Sequence, residues 1–130
     1  MFKPVRANAH LAFRPKTKMD GQYLVDFGAQ FTREKLLEAA NSIRGFQSPR
    51  YVIWQLAKLE SVPWFDLLFV ADVMSQLKPI ARTKIRKSLI VLPGPNWQSA
   101  VDSLFTIARP TAPYAIYAEH LPPESEWEQT

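Results

Sequence analysis

The 130 residues include no cysteine, which excludes disulfides, thiol catalysis and cysteine-ligated zinc together. Histidine is almost as scarce: His10 and His120 stand near opposite ends of the chain, and neither is read as a metal ligand. The four glycines, Gly21, Gly28, Gly45 and Gly94, are too scattered for a dinucleotide or P-loop fingerprint. No nucleophile-elbow sequence is present. Asp66 and Asp72 stand six residues apart on different faces of one expected helix, and Asp26 is alone, so no carboxylate pair suggests acid–base chemistry. No apolar run approaches the roughly 18 residues of a membrane span, and the N-terminus lacks the apolar core of an export signal. These absences lead us to expect a cytoplasmic protein with no transmembrane segment, no cofactor and no enzymatic activity.

What is present is a balanced globular composition, 47% apolar and 22% charged. It suits one domain over residues 1–120, followed by an acidic flexible tail at 121–130, whose lone Trp127 is expected to dock on the chain's own surface, with a partner's surface as the alternative. The net charge of +4 hides an asymmetry: all 16 basic residues and only 8 of the 12 acidic ones precede residue 119. A basic block, Lys78, Arg82, Lys84, Arg86 and Lys87, contains no acid at all. It reads as a solvated connector that an acidic partner or an anionic lipid surface could meet. It lacks the aromatic residues that would stack bases, so nucleic acid is the least favoured partner.

The chain is organised around Arg50 to Trp64. Tyr51, Val52, Ile53 and Trp54 are consecutive and β-rich, as in a strand covered on both faces, and Pro63 suits a helix's first turn. Ser88 to Leu92 (SLIVL) and Tyr114 to Ala118 (YAIYA) are similar apolar runs. His10 to Arg14 and Gln22 to Phe27, joined through the Asp20-Gly21 turn signal, are expected to form a hairpin. Three helices fill the intervals. The first is capped by Thr32 and stopped by Gly45, the second runs from Pro63 to Leu77 and ends at Pro79, and the third opens at Pro95 or Asn96 and carries Trp97, Val101, Leu104, Phe105 and Ala108 on one face. The fold class is therefore α/β, with a mixed, mostly parallel five-stranded sheet and three main helices.

This order over residues 9–118, with SLIVL followed by a helix, resembles the STAS domain of anti-sigma-factor antagonists and sulfate transporters, whose core is related to that of the lipid-carrying CRAL-TRIO domain. The resemblance implies a non-catalytic module that acts through a protein partner or larger assembly. The antagonists carry a phosphorylated serine at a helix start where this chain reads Pro63, Trp64, Phe65, Asp66, so phosphoserine switching is not carried over. The CRAL-TRIO likeness implies an alternative, binding of a lipid or small hydrophobic ligand.

With parallel strands, the turns before the three helices share the carboxyl edge of the sheet, where open α/β sheets bind ligands. Phe31, Trp64, Phe65, Asn96 and Trp97 are the candidate binding residues there, with Lys78, Arg82, Lys84, Arg86 and Lys87 as a second contact. The alternative is that these aromatics staple each helix onto the sheet.

Overall fold

The computed structural model describes residues 6–7, 21–62 and 64–128; the side chains of Arg6, Ala7 and Trp64 lie outside the description. The apolar runs become neighbouring strands. β1 (Arg6–Ala7), β2 (Gln22–Asp26), β3 (Arg50–Gln55), β4 (Ile85–Leu92) and β5 (Tyr114–Ala118) are arranged β1-β5-β4-β3-β2. β2 to β5 pair in parallel, so the parallel sheet has four strands, not five. Among the described residues the antiparallel member is a two-residue pair of β1 on β5. The strand expected at His10–Arg14 lies outside the described residues, as does the Asp20 end of its turn.

Each parallel step is spanned by a helix: α1 (Arg33–Arg44), α2 (Trp64–Lys84) and α3 (Gln98–Ile107). Because β2, β3, β4 and β5 lie side by side in chain order, right-handed crossovers place all three helices on one face. The packing agrees: Val25 and Val52 join α1 and α2, and Ile116 and Leu92 join Phe105 of α3. The alternate residues Tyr51, Ile53, Leu89, Ala115 and Tyr117 form a separate core on the opposite face, which is free of helices among the described residues.

Local chemistry sets most boundaries. Thr32 Oγ1 accepts from Lys35 N at 3.2 Å and caps α1. Gly45 ends it with right-handed backbone, φ −88°, through its N–H to Ser42 O, so the left-handed glycine cap is not used. Gly28 does use that freedom: at φ 64° it turns the chain out of β2 while its N–H bonds Asp26 Oδ1.

Two boundaries depart from expectation. α2 does not stop at Pro79 but continues to Lys84. Pro79 is exposed, so the carbonyl it cannot bond faces water, while Leu77 and Ala81 on either side remain buried in the core. Lys84 Nζ, donating to Phe46 O at 2.6 Å, ties down the last turn. β4 then begins at Ile85 rather than Ser88. The basic block is thus the end of a helix and the start of a strand, not a connector.

Candidate functional site

Between α2, α3 and the helix-side face of β3, β4 and β5 lies a cavity of about 210 Å³, partly open to solvent. Its walls are apolar: Trp54, Val70, Met74, Ile90, Val101 and Leu104 are representative. The void has an origin in side-chain volume. Interiors normally pack as densely as organic crystals, so a gap needs residues too small to fill it. Ser88 stands at the middle of the sheet between Val52 and Tyr114, and Ala81, Ala100 and Ala112 line the opposing walls. Trp54 Nε1 donates to Ser88 Oγ at 3.2 Å, so the polar groups inside the cavity satisfy each other.

The lining runs from Ile85 to Leu92, the whole length of one strand, or about 23 Å at strand rise. Its carboxyl-edge end is walled by Phe27, Phe31, Val62 and Trp97, and its amino-edge end carries Lys78, Arg109 and Thr111. No acid lines it among the described residues.

The carboxyl-edge aromatics do not form one surface. Phe31 stacks on Phe27 with centroids 5.1 Å apart, and Trp97 packs against both helix-side cores, so these two act as staples. Phe65 is 51% exposed, and Leu68 on the next turn is 49% exposed. Arg33 lies over Phe65 and Phe69 at 6.0 and 4.7 Å and pairs with Asp66 at 2.8 Å. Asn96 is exposed in the short 3-10 turn Pro95–Trp97 ahead of α3. Trp64 opens α2, and its side chain lies outside the described residues.

The basic block divides. Lys78 and Arg82 are exposed on α2, with Lys78 at the cavity rim. Arg86 and Lys87 are each only 3% exposed, and a β-bulge explains why. Arg50 pairs with Ile85 but Tyr51 with Lys87, so Arg86 is an extra residue, and both cations lie on the helix-free face.

There they hold the segment expected to be a loose tail. Residues 121–128 lie along this face: Trp127 is 3% exposed and meets Tyr51 edge-on at 5.0 Å. Its indole donates to Pro122 O at 2.9 Å, and its carbonyl accepts from Lys87 Nζ at 2.6 Å. Arg86 Nη2 pairs with Glu128 Oε1 at 2.8 Å, and its Nε donates to Tyr51 Oη at 3.2 Å. Burial, aided by the hydrogen bond to Glu128, pushes the Tyr51 phenol up to about 12. Burial lowers the Lys87 ammonium, opposed in part by the Glu128 charge.

Sequence reading missed the cavity residues Ser88, Met74, Ala100 and Arg109. The one available signal was a serine heading an otherwise apolar strand. Among the described residues, no cluster of three or more His, Asp or Glu side chains could hold a metal, and no helix is long and apolar enough to cross a membrane. No family model matches the chain, and neither a curated protein nor a solved structure does.

Proposed function

We propose that this chain is a non-catalytic cytoplasmic binding protein with a STAS-like fold, whose ligand is a small hydrophobic molecule held between α2, α3 and the sheet. The observation that carries the reading is the apolar cavity of about 210 Å³, larger than the roughly 150 Å³ cavity that takes up benzene in an engineered protein. By the same proportion it encloses about eight carbons, so a ten-carbon chain fills it with its end at the opening. The reading is tested by titrating the protein with decan-1-ol under calorimetry, and by weighing the natively purified protein for a bound small molecule. Ala100→Leu fills the cavity from its α3 wall. Binding by the wild type that falls at least about tenfold in this variant supports the reading; no binding by either protein overturns it.

A second reading, a protein-assembly module, is favoured by the adjacent exposed Phe65 and Leu68 beside Arg33. Such an apolar pair on a helix surface is the kind of anchor that a protein partner covers. Here Phe65→Ser would abolish co-purification of a partner chain while leaving decan-1-ol binding unchanged. If the natively isolated protein carries no further polypeptide, this second reading fails.

A further inference from the structure

Resting on the ligand-carrier reading, we propose that the cavity's ligand is a straight-chain carboxylate whose head group sits at the amino edge of the sheet, between Lys78 and Arg109. The site is polar at one end only. At the carboxyl edge the walls are Phe27, Phe31, Val62, Leu67 and Trp97, which offer an anion no charged partner. At the amino edge stand the two charged residues of the lining, both cationic. They come from different elements, Lys78 from α2 and Arg109 from the loop after α3. That loop meets α2 where Thr111 Oγ1 donates to Lys78 O at 3.5 Å.

Neither cation has an acidic partner among the described residues, in contrast to Arg33 and Arg86, which are paired. An arginine fork and a lysine point charge from two elements at the same end of the cavity suit a carboxylate, which can take the guanidinium bidentately and the ammonium at its other lone pairs. The lining's length of about 23 Å along one strand suits a chain better than a ring. A chain lying along it would reach Ser88 and Trp54, whose polar atoms are already bonded to each other and ask nothing of the ligand.

The test compares decanoate, decan-1-ol and decyltrimethylammonium on the wild-type protein and on Lys78→Gln/Arg109→Gln, with circular dichroism confirming that the variant folds. Both positions are exposed, so the fold should persist. Decanoate is expected to bind at least about tenfold more tightly than the alcohol, and the cation weakest of the three. The double variant should erase that tenfold preference, bringing decanoate affinity down to that of the alcohol. Equal binding of decanoate and alcohol, both lost in Ala100→Leu, would overturn the carboxylate and leave the carrier intact. A decanoate preference that survives the double variant would overturn the placement of the head group. Failure of all three ligands would overturn the carrier reading itself.

Discussion

The two faces of the sheet are covered by opposite means. Three regular helices lie over one face and leave a gap of about 210 Å³; among the described residues, eight with a single 3-10 turn lie over the other and bury a tryptophan almost completely. Regular secondary structure is therefore not what fills space in this molecule. Filling depends on side-chain volume: the helix face is short of it at Ser88, Ala81, Ala100 and Ala112, whereas the tail face supplies Trp127 against Tyr51 and Tyr117. Directional bonds also differ. The tail's position is set by Arg86 and Lys87, two buried cations that need partners and find them in Glu128 and the Trp127 carbonyl.

The contrast is broken most severely at Trp127. Trp127→Ala removes a side chain packed on all sides, and urea unfolding should show a loss of about 3–5 kcal/mol. Val101→Ala, in the cavity wall, deletes volume next to an existing void and should cost less than about 1 kcal/mol. Equal losses would mean that the two faces are equally well packed.

A smaller effect comes from pH, and it is carried by two groups of the tail face, Tyr51 and Lys87. The folded-state phenol of Tyr51, raised to about 12, lies above its ordinary value of about 10. Its contribution is complete below pH 10 and is lost as pH climbs through 12, on the order of 2 kcal/mol. Lys87 has the opposite sign. Its folded value is lowered, so between that value and about 10.4 the unfolded chain binds more protons, and stability grows as pH rises. Unfolding free energy measured by urea from pH 7 to 11.5 should climb, peak near 10 and then fall. Tyr51→Phe should remove the alkaline fall and Lys87→Met the preceding climb.

How much of this was legible follows from where each determinant lies. Continuous apolar runs marked the cores of β3, β4 and β5, and Thr32 marked the start of α1, because those signals are local. Pro79 misled because a proline's effect on a helix depends on whether its freed carbonyl meets water, which sequence does not state. The bulge at Arg86 depends on the register against β3, 35 residues away, and without it Arg86 and Lys87 read as surface charge. That Trp127 docks on its own chain was legible from a lone tryptophan in a polar tail, but its partners, one of them 40 residues upstream, were not. A cavity is still harder to read, since it consists of what side chains fail to fill; only the serine heading SLIVL hinted at it. Of the expected site residues, Trp97 and Phe31 reached the cavity wall, and Lys78 its rim.

The sharpest test of the comparison adds volume to each face in turn, and its smallest expected effect is on the helix face. Ala115 is fully buried in the tail-side core, 0% exposed, in one cluster with Tyr51, Leu89, Tyr117 and Trp127. Ala115→Val should force neighbouring side chains off their rotamers and cost about 1–3 kcal/mol. Ala100→Leu adds still more volume, but into the gap beside Trp97 and Val101, where the new carbons gain contacts that the helix face lacks. Its stability, by urea unfolding, should stay within about 0.5 kcal/mol of wild type or exceed it. A large loss there would show that the helices already close on one another in solution, and the cavity, with the ligand assigned to it, would go with that result.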